Sequence, residues 1–327
     1  MGNGRIGFTS ARLIMGGPLP YHRDMSGVQA HGGGDRDRQG TVRMTMAEAR
    51  QQDWIGRTET RTGCLTADLA GMLAGALGHA AAPVPDLAPG APMPPLWHWA
   101  AFPEFVPLSE LGTDGHPRLG GFLPPLPYAR RMWAGGRLRF EGGFSIGEEL
   151  HKRSEILAVD EKQGATGPMV FVRVGHRIEG AAGGLIEEEQ DIVYLDIPET
   201  FTPPRKLPLP EAPAFDERVA VNEARLFRYS AATYNAHRIH YDLPYAREVE
   251  KYPALVVHGP MQASLVMEAG LRHVGGAPRA FRFRGVHPMF ADEDMRLIGT
   301  RTEDGAVEIC TGTPSGHQCL QARLEVA

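Results

Sequence analysis

Residues 227–246 read FRYSAATYNAHRIHYDLPYA, and residues 252–265 follow with YPALVVHGPMQASL. His237 and His240 stand three apart, with Asn235 just upstream and Asp242 just downstream. Such a cluster can ligate a metal, transfer protons or hold a polar turn. Imidazole titrates near neutrality, so His240 can act as a general base on a water. Asn235 offers a donor and an acceptor and can hold that water or a carbonyl, but it exchanges no proton. Asp242, ahead of LPYA, reads as a cap or turn-former. His237 and His258 read first as capping or surface residues. The metal reading, with His237, His240 and Asp242 as ligands, is the weakest. The chain has no second cluster of this kind and lacks the His-Glu-x-x-His pattern of helical zinc sites, so no metal is expected.

Twenty residues on, His258-Gly259-Pro260 opens a helix. Proline suits the first helical turn, since it has no N–H to leave unpaired. Gly259 permits a close approach, and exposed N–H groups at a helix start can hold a developing oxyanion. A base, a water-holder and an oxyanion site together describe proton chemistry beside an activated carbonyl.

Outward from this block, the second half reads as a helix followed by strands. Met261, Leu265, Val266 and Ala269 share a helical face. FRFRGVHPMF, DMRLIGTRTED, AVEICTGTPSG and HQCLQARLEVA then alternate as strands, with turns at Gly285, Asp304–Gly305 and Ser315–Gly316. Residues 229–246 read as a polar turn region.

The first half follows the same plan. Residues 47–62 look helical and turn at Gly56. Thr66 caps a helix whose face is Leu69, Met72, Leu73, Ala76 and Leu77. Residues 81–95 form a loop, LWHWAAF (96–102) is strand-like, and 103–127 make a proline- and glycine-rich excursion instead of a packed element. RLRFEGGFSIGEELHKRSEILAVDEK, MVFVRVGHRIEG and LIEEEQDIVYLD read as antiparallel strands. Prolines at 198, 203, 204, 208, 210 and 213 then exclude regular structure. Helix plus sheet, twice, gives an α+β class. The expected division is a disordered tail or misassigned start at 1–46, a first domain at 47–197, a linker at 198–216 and a second domain at 217–327.

Composition narrows the function classes. The chain has 327 residues, 42% hydrophobic and 22% charged, with a net charge of -5. That balance builds a real core and gives no reason to expect nucleic acid or an anionic membrane as partner. Three scattered cysteines, Cys64, Cys310 and Cys319, suit a reducing compartment, so a cytoplasmic location is expected. No apolar run approaches the roughly 20 residues that span a bilayer.

FRYSAATYNAHRIHYDLPYA with YPALVVHGPMQASL resembles the hydratase motif of the MaoC-like hot-dog enzymes. With the family's catalytic histidine placed on His240, Asn235 falls where the family carries an aspartate, and His237-Arg238 falls where it carries Asn-Pro. This departure is similar to one branch, the type 2 3-hydroxyacyl-thioester dehydratases and mesaconyl-C4-CoA hydratases. RRMWAGGRLRF (130–140) and LIEEEQDIVYLD (185–196) resemble that branch's amino-terminal half, so the likeness covers about residues 47–327.

The resemblance implies a double hot-dog, each half wrapping a sheet around a helix, and reversible addition of water to an enoyl thioester on CoA or an acyl carrier protein, without a cofactor. It implies that His240 is the base, Asn235 the water-holder and the Gly259 amide the oxyanion donor. The α-carbon proton then comes from His240, Tyr241 or water. Substrate contacts are expected from Arg238, Tyr241, His258 and Trp133, and phosphate contacts from Arg282 and Arg284, which alternate on one strand face. A short branched or dicarboxylic enoyl-CoA is the first expectation, fatty 3-hydroxyacyl thioesters the second. A thioester-binding protein or thioesterase is the rival class, although the helix from Pro260 offers only Gln262 and a late Glu268. A dicarboxylic substrate would need a cation, for which Arg131, Arg137 and Arg238 are candidates. Homodimerisation is common among relatives and is carried as a further expectation.

Overall fold

The computed structural model describes residues 51–164 and 167–327. The tail expected at 1–46 lies outside the described residues. Ten strands form one antiparallel sheet. The first five are β1 (Thr58–Cys64), β2 (Arg130–Glu141), β3 (Glu149–Gly164), β4 (Gly167–Gly180) and β5 (Leu185–Leu195). The second five are β6 (Phe215–Val219), β7 (Pro278–Gly285), β8 (Met295–Arg301), β9 (Val307–Gly312) and β10 (Gln318–Val326).

The order across the sheet is β1-β3-β4-β5-β2-β7-β10-β9-β8-β6. Within each half, therefore, the strands run first, third, fourth, fifth, second. The halves meet edge to edge, and Arg137 lies opposite Arg282 in the middle of the β2–β7 register. An antiparallel seam between equivalent strands is how a two-fold pair buries two edges at once.

Three helices complete the fold: α1 (Ala67–Leu77), α2 (Glu223–Thr233) and α3 (Gly259–Val274). Thr66 caps α1 by accepting from the Leu69 N–H at 3.2 Å. Asn222 caps α2 by accepting from the Arg225 N–H at 2.9 Å. The two helices pack on each other, and Arg225 and Arg228 donate to the Ala76, Gly78 and Gly75 carbonyls at the end of α1. Cations there oppose the helix dipole favourably.

Among the described helices α3 is the one that packs along strands, against β7–β10. Met261, Leu265, Val266 and Ala269 are fully buried on it, as the periodicity requires. Each of the larger three contributes roughly 2 kcal/mol by leaving water. The main core joins these residues to Leu138 and Phe140 of β2 and Phe281 and Phe283 of β7. A smaller core under β3–β5 includes Ile156, Val172, Tyr194 and Leu126.

Several expectations need correction. Thr58–Cys64 is an edge strand, not helix, because its alternation is polar on both sides and its ladder to β3 decides it. Residues 229–233 belong to α2 and not to a turn. LWHWAAF is a buried 3-10 turn over Trp97–Ala100, entered through Leu96 in the left-handed region (φ 72). Met72 is exposed, while Ala70 takes its place in the α1 interface. The excursion is irregular, but it is packed. Leu119, Phe122, Leu123 and Leu126 cover the smaller core.

Candidate active site

Helix α2 ends at Tyr234, which turns into the left-handed region (φ 53). The Asn235 N–H donates back to the Ser230 carbonyl at 2.9 Å, and Asn235 Oδ1 accepts from the His237 N–H at 2.9 Å. This side-chain turn directs the chain into a 3-10 turn, Arg238–His240. Asp242 receives the Tyr245 N–H at 3.1 Å and so caps the next turn, as its position suggested. Arg238 donates to the Asp242 carboxylate at 2.8 and 2.9 Å and to the Thr113 carbonyl at 3.0 Å, and it covers the Tyr245 ring. Tyr241 donates its hydroxyl to the Ala236 carbonyl at 3.0 Å. Arg238 and Tyr241, expected to touch substrate, are thus engaged in holding the turn.

Inside the turn stand four imidazoles in a row. His240 and His258 stack with centroids 3.6 Å apart, His237 lies 5.4 Å from His240, and His116 lies 4.2 Å from His237. His240 is buried, and its Nδ1 donates to the Val256 carbonyl at 2.7 Å. That bond fixes the tautomer and leaves Nε2 as the basic nitrogen. Burial, with His116 nearby, pushes His240 down to about 4 against the opposing hydrogen bond to Val256. Burial likewise lowers His258, His237 and His116, with neighbouring imidazoles adding to the first two. Each member of the row is therefore held toward its neutral form.

His258 was expected at the substrate. It is fully buried, its Nε2 is 2.9 Å from Ser230 Oγ, and its Nδ1 has no partner. His116 comes from the excursion, where the residue types carry no periodicity to flag it. Asp114 accepts from the His116 N–H at 3.0 Å and from its Nδ1 at 2.8 Å. Gly115 makes this seat: its φ is +90, and a Cβ would lie 1.9 Å from the Ala236 carbonyl oxygen. Any other residue would push the excursion off the turn.

The start of α3 faces this row. Gly259 is its first residue, so its N–H has no intrahelical acceptor. A Cβ on Gly259 would meet only the Trp133 carbonyl, at 3.9 Å. The fold does not itself require glycine here, and the space is open to a ligand. Trp133 packs edge-on against Trp99 (4.8 Å) and Phe283 (5.7 Å), forming an aromatic wall at the seam of the two halves. Trp99 is held by Glu188, which also accepts from Gln190 and lies 3.1 Å from His98 Nε2. Burial pushes the Glu188 carboxyl up, but His98, His176 and Gln190 outweigh it and hold it down at about 2.

Arg282 and Arg284 lie exposed on the face of β7 opposite Phe281 and Phe283. Arg284 donates to Gln321, and Arg282 lines an outer cavity of about 540 Å³ with Arg137, Glu189 and Arg323. That face is turned away from the aromatic wall, which gives the expected phosphate contact no support. The trio His237, His240 and Asp242 does not converge as ligands. Among the described residues, donor atoms lie within 4.8 Å of one another in two other groups, Asp114–His116–His237 and His287–His317–Cys319.

A doubled five-strand sheet, its halves joined edge to edge, is the architecture of a double hot-dog. The sequence matches the hydroxyacyl-thioester dehydratase type 2 family over residues 96–291. It is 42% identical over 285 residues to mesaconyl-C(4)-CoA hydratase of Chloroflexus aurantiacus, covering 86% of this chain and 99% of that protein. A MaoC-like dehydratase of Phytophthora capsici superposes with a TM-score of 0.63 at 13% identity, over 83% of this chain and 95% of that one. A Mycobacterium tuberculosis protein described as having a double hot-dog fold superposes at 0.54 and 14% identity, over 83% and 95%. The chain belongs to the hydroxyacyl-thioester dehydratase type 2 family. No helix among the described residues is long and apolar enough to cross a membrane.

Proposed function

We infer that the chain adds water reversibly to a short branched or dicarboxylic enoyl-CoA, at the turn between α2 and α3. The observation that carries this reading is His240, whose Nδ1 is committed to Val256 while Nε2 remains basic beside the start of α3. His240 Nε2 takes a proton from water as the oxygen bonds to the β-carbon. The double-bond electrons move onto the thioester oxygen, which the Gly259 N–H receives. Such a donor lowers the barrier by about 3 kcal/mol. As the enolate collapses, His240 returns the proton to the α-carbon, so one water is added and the base is restored. Asn235 has its Oδ1 committed to the turn, and its Nδ2 orients the water.

Kinship with a mesaconyl-C(4)-CoA hydratase favours a dicarboxylic acyl group. The family description favours a 3-hydroxyacyl thioester, on CoA or a carrier protein, as the second substrate reading. Against thioester hydrolysis stands Glu268, the carboxylate of α3. It is engaged as the acceptor of Trp97 Nε1 at 2.9 Å, and so is held toward that ring.

We further propose domains at 47–197 and 217–327 joined by a linker at 198–216, a homodimer, and a cytoplasmic location, the last supported by three unpaired cysteines. The deciding assay incubates the purified chain with mesaconyl-C4-CoA and with crotonyl-CoA. Loss of ultraviolet absorbance of the conjugated thioester without thiol release is the expected result. Thiol release with the conjugation intact would sink the reading.

A further inference from the structure

Strand β2 opens with two arginines in unlike circumstances. Arg130 is buried and gives its Nε to Glu250 at 2.6 Å. Arg131 faces the other way. It lies opposite Tyr194 in the β2–β5 register, so the two side chains share the inner face. Its one hydrogen bond is a long one, 3.5 Å from Nη2 to the Pro117 carbonyl. Neighbouring arginines have their carboxylates: Arg238 has Asp242, Arg137 has Glu189 and Arg173 has Asp191. Among the described residues Arg131 has none within 4.0 Å. Both oxygens of Asp114, the nearby acid, are taken by His116.

The charge of Arg131 reaches the end of the imidazole row. It bears on His116 and His237 and disfavours their protonation. It also bears on Tyr194, whose fully buried hydroxyl lies within reach of the guanidinium and has no acceptor of its own. A guanidinium without a carboxylate and a buried phenol without an acceptor therefore stand side by side, next to His116. Leaving either unmatched costs free energy that a bound anion would recover.

The row also has a direction. Gly259 and His258 stand at one end, His240 in the middle, His237 and His116 at the other. With the thioester oxygen at Gly259 and the β-carbon at His240, whatever the β-carbon carries points along the row toward His116. We propose that Arg131, with the Tyr194 hydroxyl, forms the receptor for a second carboxylate, borne on the far side of the substrate double bond. This rests on the hydration reading above and adds to it the group that selects a dicarboxylic acyl chain. Guanidinium meets carboxylate through two parallel N–H bonds, so the receptor fixes orientation as well as charge.

The test is the ratio of kcat/KM for mesaconyl-C4-CoA to that for crotonyl-CoA, measured on the full chain. Arg131→Gln should lower the ratio on the order of 100-fold, and Arg131→Lys should restore part of it. Tyr194→Phe, which removes one oxygen and keeps the ring in its core, should lower the ratio about 10-fold. Arg137→Gln, on the outer face, should leave the ratio where it is. An unchanged ratio in both Arg131→Gln and Tyr194→Phe overturns the receptor. A wild-type chain that hydrates crotonyl-CoA but never mesaconyl-C4-CoA overturns the dicarboxylic substrate instead, and no hydration of either overturns the hydratase reading itself.

Discussion

The two halves of the sheet have the same strand order and opposite uses of their inner face. In the second half α3 fills that face with fully buried Met261, Leu265 and Val266, and its first residue, Gly259, is the oxyanion donor proposed above. Among the described residues of the first half, no helix packs along the strands as α3 does. α1 packs on α2 instead, and an irregular segment stands in its place. His98 of that segment is buried against Glu188 of β5, and burial pushes His176 of β4 down to about 4. One duplicated plan thus carries a helix along the strands of one half and a polar, aromatic-lined irregular segment in the other, the half proposed to shape the substrate chamber. A continuous apolar helix would have left no room for Trp99, Trp133 or Arg131.

That division of labour can be broken from either side. The largest effect belongs to the catalytic half. His240→Ala should lower hydration roughly 1,000-fold while circular dichroism and the melting temperature stay near wild type. Near-normal turnover would remove the base from the turn. The next effect belongs to the chamber half. Glu188→Ala leaves His98, Trp99 and Gln190 without their acceptor and should cost about 3 kcal/mol of stability, read from the urea midpoint. The Glu188 carboxyl is depressed to about 2, below its ordinary 4.5. Its contribution is therefore complete above that ordinary value and fades as pH falls toward 2. A flat midpoint in Glu188→Ala would mean that the cluster does not hold the chamber.

The smallest effect sharpens the boundary between the halves. Gly259→Ala meets no protein atom closer than 3.9 Å, so stability should hold within about 0.5 kcal/mol. The added methyl enters the space proposed for the thioester, and kcat/KM should fall about 10-fold. Equal rates in wild type and Gly259→Ala would place the thioester elsewhere.

Much of this was readable in the sequence where one local rule dominates. The strands β7–β10 are bounded by clear turn residues, Thr66 caps α1, and the prolines from 198 to 213 exclude regular structure. Pro260 marks the start of α3, and the spacing of Asn235, His240 and Gly259 marks the turn that joins α2 to it. Elements that depend on distant partners were not readable. β1 is polar on both sides and is a strand only because β3 pairs with it. α2 has a low apolar content, and its seat on α1 decides it. Nothing local marks Leu96 for the left-handed region.

The sequence by itself determined the class of fold, the catalytic turn and the residue types available for proton transfer, because caps, periods and turn chemistry act over a few residues. Tertiary structure alone decided which of those residues are free to act. It engaged Arg238 and Tyr241 in the turn and turned Arg282 and Arg284 outward. It also carried Asp114 and His116 more than a hundred positions along the chain to meet His237. The physical reason is burial. Desolvation and unmatched polar groups arise only when remote segments close over one another, and those are what set the charge state of the imidazole row and leave Arg131 without a carboxylate.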